Sequence, residues 1–119
     1  MDDLNAEKFA EIYIESALKI LKRNNSLDIS YFYRYVFADV SKITGFSEDK
    51  IKYLHHAFHW TLFLGKNSSF ELIPIQNKEE ENYRIRFRNG IPEKSELIAI
   101  VLREHKEWLE LRFQKLKKI

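Results

Sequence analysis

Apolar residues recur every three or four positions over the first half of the chain, which is the spacing that places them on one face of an α-helix. This spacing predicts three helices, over residues 6–23, 29–44 and 48–64. The second helix has the most regular stripe, formed by Ile29, Phe32, Tyr33, Val36, Phe37 and Val40. The third has two adjacent apolar stripes, so we expect it to lie at the centre of the domain.

The period changes from helical to alternating after the third helix. Residues 69–75 are predicted to form a strand, and Pro74 limits it to a sheet edge or a strand end because proline cannot donate a ladder hydrogen bond. Apolar and arginine side chains alternate strictly over 83–88, which predicts a second strand. A helical period returns over 92–117. The sequence therefore predicts a mainly α fold: a bundle of four helices with one small β-hairpin before a long C-terminal helix.

The composition is that of one globular domain. The chain has 119 residues, of which 45% are hydrophobic and 32% charged. This length is enough for one core and too short for two ordinary domains. We expect a single domain over 1–119, with a three-helix core over 1–65, the hairpin over 69–88 and the long helix over 92–117.

Several classes of function lose support from the composition. Cysteine is absent, which excludes disulfides, thiol catalysis and thiolate metal sites. The sequence has no glycine-rich phosphate loop, no nucleophile elbow and no paired carboxylates in an apolar context, so we expect no enzymatic activity and no cofactor. No apolar run reaches the roughly 20 residues of a membrane span. The acidic start, Met-Asp-Asp-Leu-Asn, is unlike a signal peptide. We expect a cytoplasmic protein with no membrane partner.

The stretch from Asp39 to Leu54 has the spacing of a helix-turn-helix. Gly45 is placed to end one helix, because glycine tolerates the left-handed backbone of a tight turn. Ser47 is placed to cap the next helix. Ile51 and Leu54, six and nine positions after the glycine, are expected to face inward.

By this motif and by the order of its elements, the chain resembles winged-helix domains, as found in small dimeric transcriptional regulators. The element order covers most of the chain, and the motif covers 39–54. In that superfamily the second helix of the motif enters the major groove, and the hairpin contacts the DNA backbone or minor groove. The resemblance implies a contact set on the third helix and the hairpin, formed by Lys50, Lys52, Tyr53, His56, Arg84, Arg86 and Arg88.

The three arginines of this set lie on one face of the second predicted strand. Guanidinium groups bind phosphate oxygens bidentately, so the stripe suits nucleic acid. Two alternatives remain open. Glu71 on the neighbouring strand, or the acidic loop 79–81, would neutralise the arginines, and an acidic protein would also fit this face.

Three histidines fall within five residues of the third predicted helix: His55, His56 and His59. The first and last are four positions apart, a spacing that can chelate zinc or nickel from one helix face. No third ligand stands at helical spacing on that face. We therefore expect no metal site and predict a partly buried, neutral cluster packed among aromatic rings, which acidification would loosen.

The last predicted helix is long and apolar on more than one side. A seam of three- and four-residue spacing runs through Ile98, Leu102, His105, Leu109, Phe113 and Leu116. Other apolar residues, including Val101 and Trp108, lie on other faces. A monomer exposing both sides would present a large apolar patch to water. We expect this helix to form a homodimer through the seam.

The first hypothesis for the function is a non-catalytic nucleic-acid-binding protein, and regulation is one role that such binding would allow. The alternative is a protein-binding module, such as an inhibitor, immunity or adaptor protein, that uses the aromatic and arginine surfaces. The net charge of +2 is small for a dedicated nucleic-acid binder, and the first turn of the third helix is acidic. A continuous basic face over the third helix and hairpin would favour nucleic acid, and an interruption by loop 79–81 would favour a protein.

Overall fold

The computed structural model describes residues 4–24, 26–64, 68–75 and 82–117. In chain order the elements are α1 (Ala6–Asn24), β1 (Ser26–Asp28), α2 (Ile29–Thr44), α3 (Glu48–Leu54), α4 (His56–His59), a π-helical turn (Trp60–Leu64), β2 (Phe70–Ile75), β3 (Asn82–Phe87) and α5 (Lys94–Lys117). The described chain is therefore mainly helical with a small antiparallel sheet. None of these helices is long and apolar enough to cross a membrane.

α1 and α2 each begin with a capping side chain. The Asn5 side chain accepts a hydrogen bond from the Lys8 backbone N–H at 2.8 Å, and Asp28 accepts one from the Ser30 N–H at 3.0 Å. Each bond satisfies a helix N–H that has no partner within the helix. Both helices therefore begin where their capping residues indicate.

The sheet has three strands in the order β1-β3-β2, all antiparallel, where the sequence predicted a two-stranded hairpin. The additional strand, β1, lies between the first two predicted helices. Three residues are too few to show a period, and β1 exists because its backbone pairs with β3. β2 lies at the edge, as Pro74 required.

One face of the sheet packs on the helices. Leu27, Leu72 and Ile85 are aligned across the three strands, and Ile85 is fully buried. Because side chains alternate along a strand, Arg84, Arg86 and Glu71 lie on the opposite face, together with Ile73. The predicted separation of Ile85 from Arg84 and Arg86 is therefore confirmed.

The helix-turn-helix corner has the predicted backbone. Gly45 ends α2 at φ 78°, and its N–H donates to the Ser41 carbonyl. The Ser41 hydroxyl donates to the Phe46 carbonyl at 2.6 Å, and the Ser47 side chain caps α3. Phe46 is only partly buried, and it contacts the rings of Phe9 in α1 and Phe113 in α5.

The third predicted helix is not one regular helix. It breaks at His55 into α3 and α4, and the last five residues form a π-helical turn. We call residues 48–64 the third helical segment. Ile51, Leu54, Phe58 and Leu62 are all buried in it, so its main apolar stripe faces the core as predicted.

α5 packs along α1 and supplies much of the core. Its most buried residues are Leu97, Val101, Leu109 and Phe113, with 5% or less of each exposed. Leu109 and Phe113 were predicted to belong to a dimer seam. That assignment is corrected, because both side chains lie in the core of the single chain. Ile98, Leu102 and Leu116 are partly buried against the same core.

Candidate nucleic-acid interface

Arg84 and Arg86 of β3 lie on the outer face of the sheet and Arg88 directly follows β3, but each of the three contacts another group of the chain. Arg84 donates to the Ser26 side chain and carbonyl at 3.0–3.3 Å. Arg86 forms an ion pair with Glu71 at 3.0 Å. Arg88 donates to the Ser68 carbonyl at 3.1 Å and to its hydroxyl at 3.2 Å. Neutralisation by Glu71, one of the two alternatives, therefore holds for one arginine.

These contacts leave the arginine side chains accessible. All three residues are exposed, and 55% of the Arg86 side chain faces solvent although it is paired. Exposed ion pairs contribute about 0–1 kcal/mol, so an incoming phosphate can replace one at little cost. The acidic loop 79–81, which would decide whether the basic face is continuous, lies outside the described residues.

The outward face of the third helical segment carries the other predicted contacts. Lys50, Lys52 and His56 are exposed, and the Lys50 ammonium lies 5.6 Å from the centre of the Phe46 ring. Tyr53 is partly buried. The predicted helix contacts thus lie on α3 and α4, and the predicted arginines lie on β3 or directly after it.

Tyr53 belongs to a stacked group that joins the third helical segment to α5. The Arg112 guanidinium lies 4.2 Å from the ring centres of both Tyr53 and Trp108. It also donates to the Tyr53 carbonyl at 2.8 Å. This arrangement gives the Arg112 charge two aromatic faces, and it fixes α5 against the segment.

A shallow groove lies beside this stacked group. It has a volume of about 270 Å³ and is lined by His56, Ala57, Trp60, His105 and Trp108. Trp60 is 55% exposed, which is unusual for so large an apolar ring. Sequence reasoning missed this groove, because Trp60 and Trp108 were both assigned to packing faces.

The histidine cluster forms where the third helical segment meets α2. The His55 ring stands edge-on to Tyr33 and Phe37, with centres 5.5 and 5.4 Å away. His59 Nδ1 accepts a hydrogen bond from the Tyr33 hydroxyl. Burial raises the pKa of Tyr33, so this hydroxyl keeps its proton and can donate it to the ring. Donation from the hydroxyl requires a neutral His59 ring with its proton on Nε2.

Both ring charges are disfavoured in the folded protein. Burial, followed by the charges of His56, His59 and Lys52, lowers the pKa of His55 to about 4. Burial and the charge of His56 also lower the pKa of His59. Among the described residues no group of three or more His, Asp or Glu side chains is placed to hold a metal ion.

A further set of cations was not singled out from the sequence. Lys19, Lys22 and Arg23 stand at positions i, i+3 and i+4 near the end of α1, and Lys42 lies near the end of α2. The spacing on α1 was a readable signal, because such residues share one helix face.

Comparison of the chain with protein-family models, with curated proteins and with solved structures finds no match. The assignment of function therefore depends on the geometry described above.

Proposed function

We propose that this protein is a non-catalytic nucleic-acid-binding protein of the winged-helix type. The observation that carries the proposal is the combination of a helix-turn-helix corner with a three-stranded antiparallel sheet in one domain. β1 lies between α1 and α2, and the strand order is β1-β3-β2. Because β1 pairs with the second strand of the hairpin, it joins the hairpin to the helical core. This is the arrangement expected of a wing.

In this proposal the third helical segment is the element that enters the major groove. That groove is about 12 Å wide and accepts a single helix. Lys52 and His56 lie on the exposed side of the segment, and Trp60 follows one turn later. Arg84, Arg86 and Arg88 on the sheet then contact phosphates, exchanging their present partners for charged oxygens.

The salt dependence of binding tests this proposal. Each phosphate contact contributes about −0.9 to the slope of log K against log salt. Replacing Arg84, Arg86 and Arg88 together with Gln should reduce the magnitude of the slope by about 3 for a random-sequence duplex. Fluorescence anisotropy from low to moderate salt measures it, with circular dichroism confirming that the variant folds. No binding by the wild-type protein at low salt would overturn the proposal.

A second candidate function is the protein-binding module, and one observation favours it. The groove beside Trp60 and Trp108 is mostly apolar, and exposed tryptophan is typical of protein-binding hot spots. A pulldown from the native cell, with and without nuclease, separates the two functions. A partner retained after nuclease treatment, and lost with Trp60→Ala, would support the protein-binding module.

Homodimer formation is part of the proposal for a winged-helix regulator, on a smaller surface than the sequence predicted. With Leu109 and Phe113 in the core, the seam retains Ile98, Leu102, His105 and Leu116, all partly buried. Leu111 on the same helix is 59% exposed. Light scattering at micromolar concentration tests the dimer directly. A clean mass of 14.4 kDa would show that α5 serves only its own domain.

A further inference from the structure

Two open grooves flank the C-terminal half of α1. One, of about 800 Å³, separates α1 from residues 91–94 at the start of α5. The other, of about 600 Å³, separates α1 from α2. Lys19 and Arg23 line both grooves and therefore form the ridge between them. Both grooves lie outside the predicted contact set.

The charges around the ridge are mostly positive. Lys22 lines the first groove and Lys42 the second. Acidic groups are present too. Asp39 pairs with Lys19 at 2.9 Å, Glu15 lies 3.8 Å from Lys94, and Glu93 lines the first groove. Partial burial opposes ionisation of Asp39, but hydrogen bonds and the charges of Lys19 and Lys42 outweigh it and lower the pKa of this carboxyl.

Lys22 and Arg23 differ from the paired cations beside them. Within the described part of the chain, neither forms an ion pair or a side-chain hydrogen bond, and both are exposed. Lys42 also has no ion pair there, although its charge acts on Asp39. Lys22, Arg23 and Lys42, which line the two grooves, add positive charge that attracts anions.

Short stretches of the chain connect this cationic surface to the arginines of the sheet. Arg23 is three residues before Ser26, so their Cα atoms are at most about 11 Å apart. Ser26 is the residue that Arg84 contacts in β1. At the other end of β3, Arg88 leads within a few residues to Ile91, which lines the first groove with Lys22 and Arg23. The chain thus joins the two positive regions twice.

We propose that the ridge of α1, with Lys22, Arg23 and Lys42, is a second phosphate-binding surface that follows the sugar–phosphate backbone of the bound nucleic acid. This inference rests on the proposed nucleic-acid function and extends it to a surface outside the helix-turn-helix and the hairpin. A duplex backbone fits because it presents a row of phosphates in which neighbouring positive regions can each find a contact. The surface contributes affinity and orientation but no reading of base sequence.

The test compares two triple variants with the same change in charge. One replaces Lys22, Arg23 and Lys42 with Gln, and the control replaces the exposed Lys8, Lys106 and Lys115 with Gln. Binding of a random-sequence duplex is measured by anisotropy. The ridge variant should lower the magnitude of the salt slope by about 3 relative to the control. The loss of affinity between about 50 and 200 mM salt should then be about 40-fold smaller than for the control.

Lysine acetylation gives a second readout that does not depend on variants. In the wild-type protein, bound duplex should protect Lys22 and Lys42 from acetylation, measured by mass spectrometry, and leave Lys106 and Lys115 reactive. A protein that binds duplex with equal slopes for both triple variants, and without protection of these lysines, would overturn the ridge proposal alone. A wild-type protein that binds no duplex at low salt would overturn the proposed function and this inference together.

Discussion

α2 and the third helical segment have nearly the same length but differ in regularity. α2 runs for 16 residues without interruption and buries one side, through Phe32, Val36, Phe37 and Val40. Its opposite side exposes Tyr31 and Tyr35. The third helical segment breaks at His55 and widens into a π-helical turn from Trp60.

The two helices also differ in how their ends pack. In the π-helical turn the consecutive residues Thr61, Leu62 and Phe63 are all buried. Phe63 contacts the Tyr33 ring of α2, and the Thr61 hydroxyl contacts Glu104 of α5 at 3.5 Å. The irregular end of the third helical segment therefore contacts both α2 and α5.

The largest expected effect compares the two sides of the third helical segment. Phe58 is fully buried, and its ring stacks on Tyr13 with centres 4.1 Å apart. Phe58→Ala should lower the free energy of unfolding by about 3–5 kcal/mol, because it removes apolar burial and leaves a cavity. Trp60→Ala, at a 55% exposed position, should cost less than about 1 kcal/mol. Urea unfolding measures both, and equal losses would show that the segment has no distinct outer side.

The histidines at the contact between the two helices should make stability depend on pH. The lowered pKa of His55, about 4, means that the unfolded chain binds more protons than the native protein between that value and its ordinary pKa of about 6.5. Stability should be complete above pH 6.5 and fall as the pH drops to 4. Allowing for the partial exposure of His55, we expect a loss of about 1–2 kcal/mol.

His55→Phe isolates this effect, because phenylalanine keeps the edge-on ring contacts with Tyr33 and Phe37 and cannot be protonated. Thermal unfolding at pH 7 and pH 4.5 should show a smaller difference for the variant than for the wild-type protein. An unchanged difference would assign the acid sensitivity to other groups.

The turn at Gly45, between α2 and the third helical segment, should be sensitive to backbone strain rather than to side-chain packing. Gly45 has φ 78°, and a Cβ added there would have nothing within 4 Å. Gly45→Ala should therefore cost about 1–2 kcal/mol through backbone strain alone. Gly45→Asn should recover part of that loss, since asparagine tolerates this conformation better. Urea midpoints of the two variants provide the measurement, and Ala equal to Gly would be inconsistent with a left-handed turn.

The smallest effect concerns the hydrogen bond between Tyr33 of α2 and His59 of the histidine cluster. Tyr33→Phe removes the hydroxyl that donates to His59 and keeps the ring. A lost hydrogen bond of this kind costs about 0.5–1.5 kcal/mol. The pKa of His59 should also rise, because Nδ1 then becomes available to a proton. A ring-proton NMR titration measures the shift, and an unchanged pKa would show that the hydrogen bond does not control this histidine.

The regular parts of the fold were predictable from the sequence because each has a strong local cause. α2 has a single apolar stripe, Asp28 and Gly45 mark its ends, and β3 alternates strictly. The break in the third helical segment was not predictable, because two apolar stripes on one helix do not indicate where contacts with other elements interrupt it. β1 was missed for a similar reason, because its three residues form a strand only by pairing with β3 in the folded chain.

The candidate site was predictable only in part. Exposure of Lys50, Lys52 and His56 follows from the helical period, and the outward direction of the arginines follows from strand alternation. The hydrogen-bond partners of the arginines could not be predicted, because Ser26 and Ser68 are distant in sequence from Arg84 and Arg88. The cationic ridge of α1 was not predictable either, because only the folded chain shows which side chains lie near its cations.

The meeting of Phe9, Phe46 and Phe113 bears on how the protein is made. The Phe9 ring lies 5.5 Å from Phe113, so the first helix completes its packing only against residues of α5. During synthesis, α1 and the corner leave the ribosome well before that partner exists. Contacts this distant in sequence slow folding and leave apolar surface exposed in the interval. We therefore expect stalled nascent chains that lack α5 to be degraded by protease and bound by chaperones, and released full-length chains to resist both.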